Sequence, residues 1–273
     1  MKFSICNMIF KNWKIDEVFQ YAAELGYDAV EIAPFTLAKS VVHISQSERV
    51  RLRGIAKETN VAVAGLHSLL SGQPGLHINH YDPKVRAETK DYFMELVKCC
   101  ADIGGSVLVF GSPKQRAVLE QVGYANAWEY AKDTLTECSK YAQKRDVTIC
   151  LEPLATEGVK PNNFVKTPAE AIKMVEEINH PNFRLLLDTF SASAEMVDIP
   201  TTIRKYKKYL AHVHVNDDNK SWPGSGGIDW PPIAEALKEI DYQGYISAEV
   251  FISEPDVKTV ARESIKFLKH LFR

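Results

Sequence analysis

Two hydrophobic rhythms alternate along the 273-residue chain. Short, continuous apolar runs fall at 3–7, 28–32, 61–66, 106–110, 147–151, 183–187, 210–215 and 245–250. Between them lie segments with helical spacing at 15–25, 47–59, 83–103, 127–144, 167–178, 199–206, 232–240 and 256–271. In the first of these, Ile15, Val18, Phe19, Ala22 and Leu25 recur every three or four positions, and Gly26 then stops the helix. Gly104-Gly105 breaks the third, and Thr167-Pro168 opens the fifth as an N-cap followed by proline in the first turn.

Eight strands thus alternate with eight helices. The strands are mostly continuous apolar runs, so both faces are buried, which implies a parallel sheet clad in helices. A closed barrel and an open doubly wound sheet both meet that demand. The open nucleotide-binding form would carry GxGxxG or a P-loop after its first strand, and this chain has neither. A barrel needs about 250 residues. The pattern therefore predicts an α/β fold: a single (β/α)8 TIM barrel domain over residues 1–273.

Composition narrows the functions. Hydrophobic residues make up 45% and charged residues 25%, as in ordinary globular proteins. The net charge is −2 with no basic stripe, which argues against a nucleic-acid partner. No run reaches the roughly 18 apolar residues of a membrane span, and the residues before Lys11 show no signal-peptide pattern. Cys6, Cys99, Cys100, Cys138 and Cys150 are odd in number and lack CxxC spacing, which suits reduced thiols in the cytoplasm. Cys150 is expected to be a packing residue. A homo-oligomer is left open.

Barrel active sites lie at the C-terminal ends of the strands, so the polar residues there are the candidates. Asn7 follows strand one, Glu31 lies in strand two, His67 ends strand three, and Gly111-Ser112-Pro113-Lys114-Gln115-Arg116 follows strand four. Glu152, Asp188, His214 and Glu249 stand at the ends of strands five to eight. One carboxylate at a barrel mouth is commonplace. Four successive strands ending in metal-ligand types, on strands about 4.8 Å apart, point to one divalent cation. Three carboxylates and an imidazole suit Mn²⁺, Mg²⁺, Co²⁺ or Zn²⁺, and the absence of a cysteine argues against structural zinc.

The remaining polar residues have competing readings. His67 either touches substrate or braces a neighbour. His212 is expected on a different strand face from His214, as supporting structure. His43, His77 and His80 read as solvated loop residues. Lys114 and Arg116 read as surface charge or as a clamp for a substrate anion. Glu31 could accept sugar hydroxyls or pair with a cation. Trp13 or Trp222 could stack on a sugar ring, or both could pack loops. The glycine-rich 223–227 stretch is expected to shape the rim.

Five motifs carry a family resemblance: LEPL at 151–154, LLLDTF at 185–190, HVHVND at 212–217, WPGSGGIDW at 222–230 and GYISAEVF at 244–251. Together they resemble the sugar-phosphate isomerase/epimerase superfamily. This is the xylose-isomerase-like TIM barrel group of ketose 3-epimerases, inosose-processing enzymes and, more remotely, endonuclease IV. The resemblance implies that Glu152, Asp188, His214 and Glu249 bind one metal, with Mn²⁺ foremost. It implies a sugar or sugar-phosphate isomerase or epimerase in which Glu152 and Glu249 move a proton through a metal-stabilised enediolate. Asn7, Glu31, His67, Lys114, Arg116, Ser191 and Trp222 are the candidate substrate contacts. Two features depart from ketose 3-epimerases. Ser191 stands where those enzymes place a substrate-contacting His, and Asp217-Asp218-Asn219-Lys220 stands where they carry an Arg. The same machinery could instead dehydrate a keto-polyol such as an inosose or dehydroshikimate. A non-catalytic ligand-binding barrel is the third reading, and the intact ligand set argues against it.

Overall fold

The computed structural model describes residues 1–156, 164–252 and 254–272. Eight parallel strands close into a barrel in sequence order: β1 (Lys2–Cys6), β2 (Ala29–Ile32), β3 (Ala62–Leu66), β4 (Val107–Phe110), β5 (Thr148–Leu151), β6 (Phe183–Asp188), β7 (Leu210–Val215) and β8 (Tyr245–Ala248). The closing contact pairs β1 with β8, and Ile5 stands opposite Ala248. The fold is a (β/α)8 TIM barrel, as the alternation of runs predicts.

The clothing helices are α1 (Ile15–Leu25), α2 (Gln46–Thr59), α3 (Pro83–Asp102), α4 (Gly123–Gln143), α5 (Pro168–Ile178), α7 (Ile199–Lys205), α8 (Trp230–Glu239) and α9 (Val257–Phe272). Their ends follow local chemistry. Gly26 closes α1 in the left-handed region at φ 78°, which glycine reaches without a Cβ penalty. At the start of α5, the Glu170 N–H donates to Thr167 Oγ1 and the Thr167 N–H to Glu170 Oε2, each at 3.3 Å.

One helix has no counterpart in the hydrophobic pattern. α6 (Thr189–Ala194, TFSASA) begins directly after β6. Its small residues give no amphipathic period, so the pattern misses it. Asp188 caps it, and Oδ1 accepts the Ser191 N–H at 2.7 Å.

Side-chain parity places the site. Residues two apart on a strand share a face. Val107, Val109, Cys150 and Leu186 pack together as a small apolar cluster, separate from the large core between strands and helices. Two residues beyond Val109, Cys150 and Leu186 come Gly111, Glu152 and Asp188. The cluster is thus the apolar floor of the barrel interior, and the polar mouth lies on top of it. Cys150 is buried there as a packing residue, and all five cysteines are free and buried. No helix among the described residues is long and apolar enough to cross a membrane.

Candidate metal and active site

Strand register sets the first pair of site residues. Asp188 on β6 stands opposite His214 on β7, and His214 opposite Ser247 on β8, two residues before Glu249. Glu152 follows the last residue of β5. One ligating atom from each of Glu152, Asp188, His214 and Glu249 lies within 4.8 Å of the others, and all four residues are buried. His214 Nδ1 is 3.0 Å from Glu249 Oε2 and 3.7 Å from Glu152 Oε1.

The electrostatics of this cluster are strained without a cation. Burial, then the charges of Glu152 and Glu249, push Asp188 up to about 7. Burial and the Glu249 charge also push Glu152 upward. Burial acts the same way on Glu249, but His214 and His67 more than offset it and hold that carboxyl down to about 2. Asp188 Oδ2 is buried with no hydrogen-bond partner among the described residues. Three carboxylates, one of them with an orphaned oxygen, and an imidazole are the donor set of a hard or borderline divalent ion. The residues fit such an ion.

Gly111 makes the arrangement possible. A Cβ at this position would lie 2.1 Å from Glu152 Oε2. Only a glycine lets the carboxylate fold back over the end of β4.

A cavity of about 250 Å³ opens above the cluster, and Glu152, Asp188 and Glu249 line it. Ser191, Phe190, Phe251 and Lys220 form part of its wall. Lys220 Nζ sits 4.8 Å from the centre of the Phe190 ring. Lys220 thus brings a cation to the cavity wall.

The other predicted substrate contacts are distributed differently. His67 is fully buried outside the cavity wall, with Nδ1 3.3 Å from Glu249 Oε1. It braces the carboxylate. Glu31 is sealed beneath the mouth: His212 Nε2 is 2.8 Å from its Oε2 and His214 Nε2 is 3.1 Å from its Oε1. Burial opposes its charge, but the two histidines hold Glu31 well below the usual carboxylate range. Asn7 fixes a turn, donating to Thr36 Oγ1 at 2.8 Å and accepting the Ala33 N–H at 2.8 Å. Lys114 is exposed on a neighbouring depression with Ser71 and Gly72.

Several expectations are corrected. His212 and His214 are two apart and share a face, which is why both reach Glu31. Arg116 is neither surface charge nor clamp. It is fully buried, donating to the carbonyls of Phe110 at 3.3 Å and Val165 at 3.4 Å. Burial lowers its guanidinium to about 10. Trp222 lies on a different depression, with Phe267 and His270 of α9, and Trp13 packs on Phe10 and Tyr21. Neither tryptophan lines the site cavity. His77 is buried, and burial lowers it to about 4.

Two further residues of the HVHVND motif, Asn216 and Asp217, organise the mouth. Asn216 Oδ1 accepts the Phe190 N–H at 2.9 Å, and its Nδ2 donates to the Glu249 carbonyl at 3.0 Å. One side chain thereby ties the ends of β6, β7 and β8. Asp217 accepts from the backbone of Gly224 and Ile228 and from Trp230 Nε1, at 2.7, 3.1 and 3.0 Å. It sets the glycine-rich loop, where Gly224 takes φ 87°. A short polar residue directly after a metal-ligand strand was the available signal.

A family model described as "xylose isomerase-like TIM barrel" matches residues 19–271. The chain belongs to this family. Curated relatives include the D-psicose 3-epimerase of Ruminiclostridium cellulolyticum, 27% identical over 89% of this chain and 80% of the relative. The inosose isomerase of Bacillus subtilis is 26% identical over 94% of this chain and 90% of its own length. The 3-dehydro-D-guloside 4-epimerase of Escherichia coli is 23% identical over 98% and 99% of the two chains. Among solved structures, the D-psicose 3-epimerase of Clostridium cellulolyticum H10 with D-tagatose superposes with a TM-score of 0.86, at 22% identity and full coverage of both chains. That likeness shows the same barrel fold.

Proposed function

We propose that the protein is a divalent-metal-dependent epimerase or isomerase of a sugar or sugar derivative. The carrying observation is the pair of buried carboxylates, Glu152 and Glu249, that face one cavity and share His214. Sugar epimerases and an isomerase among the relatives support the substrate class. Glu152, Asp188, His214 and Glu249 would hold the cation, Mn²⁺ being the first candidate. When bound, it polarises a substrate carbonyl and neighbouring hydroxyl, and so acidifies the C–H beside them.

The chain's own groups supply the rest. Glu152 and Glu249 come from strands three positions apart around the barrel and so approach a ligand from different sides. One removes the proton from carbon and the other returns a proton to the opposite face. His67 and His214 hold Glu249 in place. Phe190, Phe251, Leu154 and Ala155 give the cavity an apolar wall that limits water around the reacting carbon.

The test is incubation of Mn²⁺-loaded protein in deuterium oxide with ketoses, keto-inositols, 3-keto-glycosides and their phosphates. The expected result is deuterium at one carbon in a product of otherwise unchanged composition. A product lighter by one water would replace the isomerase reading with a dehydratase. No exchange with any substrate, at full metal occupancy, would overturn both.

A further inference from the structure

We propose that Glu31 is a positioning residue: through a carboxylate shared by His214 and His212, it holds His214 with Nε2–H toward the barrel interior and the Nδ1 lone pair toward the metal position. This rests on the metal-site reading above. Glu31 neither lines the cavity nor belongs to the four-ligand cluster. It is a fully buried carboxylate within an otherwise apolar strand, Ala29-Val30-Glu31-Ile32.

The geometry assigns each oxygen. Oε1 lies 3.1 Å from His214 Nε2, and Oε2 lies 2.8 Å from His212 Nε2. An ionised carboxylate accepts and cannot donate. Each facing Nε2 must therefore carry a hydrogen. For His214 that leaves Nδ1, which faces Glu249 and Glu152, as the nitrogen where a cation can take the place of a proton. A metal-bound imidazole anchored through its other N–H to a carboxylate is a recurring arrangement that fixes the tautomer and ring angle and strengthens the ligand.

One further feature fits this role. His212 occupies the second oxygen of Glu31, so the carboxylate cannot rotate away from His214 without giving up a 2.8 Å bond. The HxH spacing thereby gains a use for both histidines, one toward the ligand position and one as an anchor for Glu31.

Glu31→Gln tests the assignment. The amide offers one accepting oxygen and one donating nitrogen, so the two histidines can no longer both present N–H to it. Mn²⁺ affinity, measured by calorimetric titration of the metal-free protein, is expected to fall about 10- to 100-fold. Long-range ¹H–¹⁵N spectra of the Zn²⁺-loaded parent protein are expected to show His214 with Nε2 protonated and Nδ1 metal-bound. The spectra need no variant, so a Glu31→Gln that fails to fold leaves the proposal testable. Metal found on Nε2, or a folded Glu31→Gln with unchanged Mn²⁺ affinity, would overturn it. Failure of the parent protein to bind any divalent ion is a separate outcome. It would sink the metal-site reading and this proposal with it.

Discussion

The two halves of the barrel mouth do different work with similar residues. β5 to β8 contribute Glu152, Asp188, His214 and Glu249, whose ligating atoms converge. β2 to β4 hold or lead into residues that serve those four, while β1 leads into a turn. Asn7 fixes a turn, Glu31 holds both histidines of the HxH motif, His67 braces Glu249, and Gly111 leaves room for Glu152. A buried Glu is a candidate base in one half and an anchor in the other. Residue type names the chemistry a side chain can do, and its neighbours decide which chemistry it does.

The sharpest way to break this comparison is to neutralise one carboxylate in each class of the ligating half. Glu152→Gln and Glu249→Gln are each expected to lower turnover about 10²- to 10⁴-fold at saturating metal, because the proton acceptor is gone. Asp188→Asn should regain part of its activity with excess Mn²⁺. Turnover and bound metal measured together separate the two classes. Near-normal turnover of both Gln variants would make those glutamates ligands only.

A residue of the supporting half comes next. Gly111→Ala puts a Cβ against Glu152 and must displace the carboxylate. Misplacement by about 1 Å costs about 10²-fold in rate. The thermal midpoint of the metal-free variant should stay near that of the parent. If kcat is unchanged, Glu152 has freedom that the close contact denies.

The third prediction concerns pH. In the metal-free protein Asp188 is pushed up to about 7, above its ordinary value of 3.8. Its favourable contribution to the metal-free fold is full below the ordinary value and fades as pH rises through about 7. A cation needs the ionised form, so Mn²⁺ affinity should rise about tenfold per pH unit toward neutrality and then level off. Upward-shifted Glu152 acts in the same direction. Calorimetric titrations across this range check the slope. By the same sign, Asp188→Asn should raise the thermal midpoint of the metal-free protein above neutrality while weakening metal binding. An affinity that falls with rising pH would contradict the charge arrangement.

The smallest effect is expected at Lys114. It is exposed and lies outside the cavity above the ligands. Lys114→Ala should change stability by no more than about 0.5 kcal/mol, with the same kcat/KM for a sugar lacking a phosphate. A large loss confined to a phosphorylated substrate would assign the depression beside Lys114 to the substrate's anion.

The sequence by itself determined the barrel and where its mouth would be. Continuous apolar strands separated by helical periods admit few closed solutions, and the residue that ends each strand is readable once the strand is. Helix α1 matches its hydrophobic period at both ends, because Gly26 and the apolar stripe are local signals. The donor types at 152, 188, 214 and 249 were legible for the same reason. Tertiary structure alone decided which other polar residues join them. Arg116 looks like surface charge from its neighbours in sequence, yet it turns inward to the carbonyls of Phe110 and Val165. Glu31 looks like a sugar contact, yet it meets His212 and His214 more than 180 positions along the chain. Helix α6 depends on an Asp188 cap and on Asn216 holding the Phe190 N–H. Val165 for Arg116, the two histidines for Glu31 and Asn216 for α6 are partners that only the tertiary fold brings within hydrogen-bond reach, and no local period encodes that approach.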